Sequence, residues 1–161
     1  MRLSITSKKY RMQDKINESL AKIEFKLEQD EDGYPPAKYE TVWASENNGH
    51  YIIENVPFFA RGVSYGDVVS AKMVDGFLSF QEVIRRSGHS TVRIGVYNLE
   101  EIDSICKELN ALGCDIEKSH LPSLFSVDIP PDANIPAIRE YLEKGAEDEQ
   151  FGYEEASVTW L

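Results

Sequence analysis

The chain has 161 residues, of which 42% are hydrophobic and 28% are charged, a composition typical of a folded globular protein rather than a disordered one. No apolar run reaches the length of a membrane span, and the basic N-terminus MRLSITSKKYRMQDK lacks the apolar core of a secretory signal. Two cysteines, Cys106 and Cys114, are too few for a disulfide framework, so we expect a cytoplasmic protein that does not bind membranes.

The net charge of −11 is distributed unevenly along the chain. Residues 1–88 hold 12 Lys and Arg against 13 Asp and Glu, a net charge of −1, whereas residues 89–161 hold 5 against 15, a net charge of −10. An acidic field repels phosphate backbones and attracts cationic proteins. The second half is therefore expected to avoid nucleic acid, and either to bind a cationic partner or simply to keep the protein soluble.

The first half of the chain is predicted to be almost entirely strands. Residues 1–20 form a basic segment that we expect to be partly disordered, with a short helix around Asp14–Leu20. Polar and apolar side chains then alternate over Lys22–Glu28, which predicts a half-buried strand. Four more strands are predicted between turn residues: Tyr39–Ser45, Tyr51–Val56, Asp67–Val74 and Phe77–Ile84. Five short strands of this kind indicate a small β-barrel or a curled antiparallel sheet over residues 21–88.

The longest connection between these strands, Pro57–Gly66, is unusually aromatic for a loop. Its rings are Phe58, Phe59 and Tyr65. Aromatic rings favour burial over exposure to water, so we expect them to plug one end of the barrel.

Residues 89–161 change to a mixed pattern. A strand over Val92–Val96 is followed by an apolar stripe at helical spacing, with Asn98 as the helix cap and Gly113 as its end. Two strands follow, at Cys114–His120 and Ser123–Ile129. A second helix is then predicted from Asn134 to Gly145, and a closing strand at Tyr153–Trp160 completes this half. The order β-α-β-β-α-β predicts a ferredoxin-like domain. The whole chain is thus predicted to be α+β, with domains at 21–88 and 89–161.

In a ferredoxin-like domain both helices cover one face of the sheet, and alternation assigns each strand residue to a face. The apolar residues of the strands are expected to face the helices. The opposite face is expected to be polar and open to solvent or to a partner, with these side chains: Arg93, Tyr97, Ser126, Asp128, Glu155, Ser157 and Thr159. An RNA-binding platform of the same topology would need stacked aromatics there, and the acidic charge of this half argues against it.

Several segments spread over most of the chain resemble an uncharacterised bacterial family of unknown function. They include DEDGYPP at Asp30–Pro36, NVPFFA at Asn55–Ala60, GVSYGDVV at Gly62–Val69 and SGHST at Ser87–Thr91. The resemblance implies no reaction. Small acidic bacterial proteins of this type are often similar to immunity proteins that neutralise toxins, so it implies a binding role rather than a catalytic one.

The densest polar cluster of the sequence lies at the predicted domain junction. Arg85, Arg86, His89 and Ser90 place two guanidinium groups, an imidazole and a hydroxyl within six residues, beside Gly88. Such donors can bind a phosphate or carboxylate, which suggests a regulatory protein that binds a small anion. The alternatives are a plain interdomain linker, or an enzyme that uses His89 as acid and base.

The remaining candidates for chemistry are weak, and we predict no catalytic residues, no metal site and no cofactor. Cys106 and Cys114 adjoin apolar positions and are expected to be buried. The three histidines are scattered, without the spacing of metal ligands. The acidic run Asp30–Asp32 meets Gly33 too early for a calcium loop.

A second acidic cluster has more promise as a surface for a partner. Glu147, Asp148 and Glu149 follow the second predicted helix, and Glu154 and Glu155 follow soon after. Acidic side chains grouped in this way can dock on a basic active-site cleft. We therefore predict a non-catalytic immunity protein that binds a cationic toxin domain through these residues; a solvated loop is the alternative.

Overall fold

The strands of the first half of the chain lie where polar and apolar residues alternate in the sequence. The computed structural model describes residues 20–161, so the prediction for residues 1–19 lies outside the described part. The strands of the first half are β1 (Leu20–Lys26), β2 (Tyr39–Asn47), β3 (His50–Ile53), β4 (Val68–Val74) and β5 (Phe77–Arg85). They pair in sequence order, and β1 also pairs with β5 in parallel through Ile23 and Leu78, which closes a barrel.

The barrel interior holds the apolar side chains that the alternation points inward. In β1, Ile23 and Phe25 are buried while Lys22 and Lys26 are exposed, as the pattern predicted. The Pro57–Gly66 loop adds Phe59, Ala60 and Val63 to the same cluster, so this loop packs against the barrel core. Its third ring has another partner: Tyr65 lies edge-on to His89, with ring centroids 5.3 Å apart.

The second half forms a four-stranded antiparallel sheet with two helices on one face. Its elements are β6 (Ser90–Val96), a short 3₁₀ turn (Leu99–Glu101), α1 (Ile102–Ala111), β7 (Asp115–Lys118), β8 (Leu124–Ile129), α2 (Ile135–Glu147) and β9 (Phe151–Ser157). The strand order is β7-β8-β6-β9. Together with the barrel, these elements confirm an α+β structure.

The core of the second half lies between the sheet and the helices. The helices contribute Ile105, Leu109, Ile138 and Leu142, each at most 1% exposed. Burying one such side chain stabilises the fold by about 1.5–3 kcal/mol. The apolar stripes of the two helices therefore hold them on the sheet.

The helix boundaries follow the predicted caps at three of four ends. The Asn98 side chain accepts a hydrogen bond from the Glu100 amide, and Asn134 accepts one from Ala137. Gly113 follows α1 with a positive φ of 97°. The prediction that Gly145 ends the second helix is wrong, because α2 continues to Glu147. Gly145 is buried inside the helix against the ring of Phe151.

Candidate functional site

The polar face of the four-stranded sheet is covered by the barrel loop Pro57–Gly66. The Ser126 hydroxyl donates to the Pro57 carbonyl at 3.0 Å, and the Gly62 amide donates to the Ala156 carbonyl at 2.9 Å. Thr91 donates to the hydroxyl of Ser64 at 2.8 Å. The expectation of a face open to solvent or a partner is therefore wrong for the part that this loop covers, whereas Tyr97 at the end of the face is 71% exposed.

Arg93 is the central side chain of this covered face. It is 3% exposed, and its two terminal nitrogens donate to the carbonyls of Phe59, at 3.2 Å, and Ala60. The same guanidinium pairs with Glu154 at 3.2 Å. Burial lowers the pKa of Arg93, and the charge of Glu154 opposes that shift. Arg93 thus ties the loop to the middle of the sheet.

Glu40 holds the same loop from the barrel side. Its carboxylate accepts the backbone N–H groups of Phe58, Phe59 and Ala60 at 2.6, 3.0 and 2.8 Å. Successive backbone amides turned to one anion form a concave binding site of the kind that takes phosphate or carboxylate. Here a side chain of the protein fills it, so this loop is fixed on both sides by charge-assisted bonds.

The predicted anion site is divided between two internal carboxylates. Arg86 pairs with the buried Asp67 at 3.3 Å and also donates to the Gly62 carbonyl at 2.6 Å. His89 Nδ1 lies 2.9 Å from an oxygen of Asp128, which is fully buried. An anion at this place would compete with both carboxylates.

The other two residues of the predicted anion site have different surroundings. The Ser90 hydroxyl bonds with Thr159, both to its hydroxyl and to its amide. Arg85 is exposed at the end of β5. Arg85, Arg86, His89 and Ser90 therefore lie close in sequence, but Arg86, His89 and Ser90 each bond to a different partner within the protein.

Asp67, predicted as the first residue of a strand, has a structural role at this junction that the sequence did not indicate. It is fully buried, and its carboxylate accepts the amides of Ser64 and Ser87, both at 2.9 Å, as well as Arg86. One signal was present: an acidic residue stands directly before the apolar strand β4, inside the GVSYGDVV segment. Charged residues are seldom fully buried unless they are paired.

The structure separates the predicted acidic surface into two parts. Glu147, the last residue of α2, is exposed, as are Asp148 and Glu149 after it, and Asp148 pairs with Lys144 at 3.2 Å. Glu154 instead lies on the covered face of the sheet, where it pairs with Arg61 and Arg93.

Glu155 does not lie on the face where alternation placed it. It pairs with Val92, which faces the helices, because an irregularity at Ala156 shifts the register of β9. Its carboxylate accepts the indole N–H of Trp160 at 2.6 Å.

The exposed acidic residues concentrate on the helical layer, defined here as residues 99–111 and 135–149. These segments hold nine Asp and Glu against three Lys and Arg, a net charge of −6. Most of these charged side chains are exposed, because the inner stripe of each helix is apolar. The helical layer therefore carries more than half of the net charge of the chain.

A cavity of about 470 Å³ opens where the end of β1, the following loop and the Pro57–Gly66 loop meet. Its apolar wall includes the stacked rings of Phe25 and Phe80, with centroids 4.6 Å apart. Its charged wall includes Arg61, Arg93 and Glu154. His89 does not line this cavity.

The two cysteines are buried, as the sequence predicted. Burial raises the pKa of Cys114 to about 12, helped by Asp128 and Asp115, and burial also raises the pKa of Cys106. The thiolate is the reactive form, so both thiols are inert near neutral pH. Among the described residues, no group of three or more His, Cys, Asp or Glu side chains is placed to hold a metal ion. Within residues 20–161, no helix has the length and apolar character needed to cross a bilayer.

We expect both thiols to resist the disulfide reagent DTNB in the folded protein at mildly alkaline pH, and to react at once in concentrated urea. The folded Cys114 keeps its proton up to about 12, whereas an unfolded thiol loses it near 9.0. The free energy of unfolding should therefore fall as the pH rises above 9. Rapid labelling of the native protein would contradict this burial.

The family model of DUF4265, a domain of unknown function, matches residues 40–153. The chain belongs to the DUF4265 family. The match covers part of the barrel and nearly all of the four-stranded sheet, so the family includes the junction between them. Membership confirms the resemblance to an uncharacterised family that the sequence suggested.

The fold of this DUF4265 protein is similar to that of a solved hypothetical protein from Neisseria gonorrhoeae, described as a novel crystal structure. The TM-score is 0.72 and the sequences are 21% identical, over 89% of this chain and 98% of the other. At this identity the likeness shows a shared fold and says nothing about activity. A comparison with curated proteins gives no match.

Proposed function

We propose that this protein is a non-catalytic binding protein of the immunity type, which neutralises a toxin domain by binding it through the helical layer. The observation that carries the proposal is the net charge of −6 on the exposed helical layer. The other face of the same sheet is closed by the Pro57–Gly66 loop. A large partner would therefore meet the acidic helices and not the sheet.

Charge complementarity explains what such a surface does for binding. A patch of one sign steers a partner of the opposite sign during encounter, and it disfavours partners of like charge. The partner of this protein is a protein with a basic surface, such as a toxin domain whose cleft binds an anionic substrate. Nucleic acid itself is repelled by the same field.

We further infer that the acidic half is a ferredoxin-like domain, residues 89–161, joined to a small barrel domain, residues 21–88. The support is the element order β-α-β-β-α-β, the strand order β7-β8-β6-β9 and the antiparallel pairing of each neighbouring pair. In this arrangement the two helices lie on the outside of the molecule, where a partner can reach them.

We expect the double variant Glu147→Lys/Glu149→Lys to weaken binding to the proposed basic partner, sought first among the products of neighbouring genes, by about tenfold or more, since every 1.4 kcal/mol is tenfold. Both residues are exposed, so the variant should fold as the wild type does. The measurement is the Kd by calorimetry at about 50 mM and about 300 mM salt, and wild-type binding should weaken at the higher salt.

A matched control changes the same charge elsewhere. Glu46→Lys/Glu82→Lys alters two exposed residues of the barrel strands, far from the helical layer in the sequence. It should leave the Kd within about threefold of the wild type, because only the long-range field has changed. The proposal is wrong if no complex forms, or if both double variants weaken binding equally.

A further inference from the structure

One of the side chains that line the cavity beside the Pro57–Gly66 loop has a buried nitrogen that lacks a hydrogen-bond partner. Arg93 lines this cavity, and its Nε is buried without an acceptor among residues 20–161. The other guanidinium nitrogens are used by Phe59, Ala60 and Glu154. A buried donor left unsatisfied is costly, and it is rare in native proteins. Such a donor at a cavity wall indicates an acceptor that arrives with a ligand.

The charges beside this nitrogen favour an anion. One oxygen of Glu154 is shared by two guanidinium groups, Arg61 at 2.8 Å and Arg93 at 3.2 Å. Two positive charges against one negative charge give these three side chains a net charge of +1, whereas the lining as a whole, which also includes Lys26, Glu28 and Asp30, is neutral. These three side chains therefore form a positively charged spot in a chain whose net charge is −11. The side chain of Arg61 is 73% exposed and is therefore free to turn towards a ligand.

Another part of the lining is aromatic. Phe25 and Phe80 stack there, while Tyr34 meets Phe59 edge to face with ring centroids 6.0 Å apart. Burial of flat rings against such walls supplies most of the affinity of small ligands, and a few polar groups set their orientation. The volume of about 470 Å³ is in the range of small-molecule sites.

We propose that this cavity binds a small monocarboxylate with a flat apolar body. Its carboxylate docks on Arg61 and on Nε of Arg93, beside the Glu154 oxygen that both guanidinium groups share, while its body lies on Phe25 and Phe80. Multiply charged ligands such as nucleotides fit less well, since the wall offers a single net positive charge and Glu28 and Asp30 also line the cavity. The site is independent of the helical layer, and it differs from the anion site that the sequence suggested at Arg85, Arg86 and His89.

Indole-3-acetate is a suitable probe, and indole-3-acetamide is its neutral match of nearly the same shape. We expect the acid to bind the full-length protein, with shifts in the ¹⁵N spectrum centred on the cavity residues and a raised melting temperature. The amide should bind at least about tenfold more weakly, because it cannot neutralise the guanidinium groups. Acetate, which lacks the ring, should bind more weakly still.

Variants at both walls test the pose. Arg61→Met and Phe80→Ala should each weaken indole-3-acetate by about fivefold or more, whereas Arg85→Met, a matched change at an exposed arginine outside the cavity, should not. Arg61 and Arg85 are both exposed, so their variants should fold. The proposal is overturned if the acid does not bind at millimolar concentration, if amide and acid bind equally, or if the shifts map elsewhere.

Discussion

Asp67→Ala is expected to lower the free energy of unfolding by about 3–5 kcal/mol, because it removes the acceptor of two backbone N–H groups, at about 1–3 kcal/mol each, and the partner of the exposed Arg86. The carboxylate is fully buried and accepts the amides of Ser64 and Ser87 as well as the guanidinium of Arg86. Without it, two backbone N–H groups lose their acceptor in the interior. Urea unfolding followed by circular dichroism measures the loss.

Two further variants make the result specific to Asp67. Asp67→Asn keeps one side-chain oxygen as acceptor, so its loss should be smaller than that of the alanine variant. Asp132→Ala removes an exposed carboxylate and should change stability by less than about 0.5 kcal/mol. A loss below about 1 kcal/mol for Asp67→Ala would show that water replaces the carboxylate, and that the junction is looser than these contacts indicate.

Local periodicity predicted the elements well, because each strand or helix buries one side of itself. The alternation of Lys22–Glu28 placed Ile23 and Phe25 inside, and the stripe of the first helix placed Ile105 and Leu109 inside. Leu99 belongs to the same predicted stripe and is 56% exposed. It lies in the 3₁₀ turn before α1, where the helical period does not yet apply.

The junction could not be predicted in the same way, since its contacts join residues far apart in the chain. Arg93 bonds to a carbonyl 34 residues earlier, and His89 meets a carboxylate 39 residues later. In a strand whose polar and apolar residues alternate, a charged residue indicates the side of the strand that faces solvent. Arg93 was therefore expected to be exposed. Only the position of the Pro57–Gly66 loop reveals that this side is covered.

For the acidic residues, the composition of the sequence predicted the excess of negative charge, but the positions of the residues along the chain did not predict which face or partner each carboxylate has. The excess negative charge of the second half could be counted directly, but the partners of each carboxylate could not. The irregularity at Ala156 sends Glu155 to the face opposite to the one assigned by alternation and places Glu154 beside Arg93. Glu154 thereby becomes the partner of two arginines, while Glu147 and Glu149 stay exposed.

Gly145→Ala is expected to destabilise the protein by about 2–3 kcal/mol, although the same change usually stabilises a helix by about 1 kcal/mol. A Cβ atom at Gly145 would lie 2.1 Å from the ring of Phe151, which is fully buried and has no room to move. Gly95→Ala is the control, because no atom lies within 4 Å of the added carbon, and it should be neutral or slightly stabilising. In thermal unfolding, Gly145→Ala should cost less in a Phe151→Leu background than in the wild type. A higher melting temperature for Gly145→Ala itself would mean that α2 does not pack on β9 this closely.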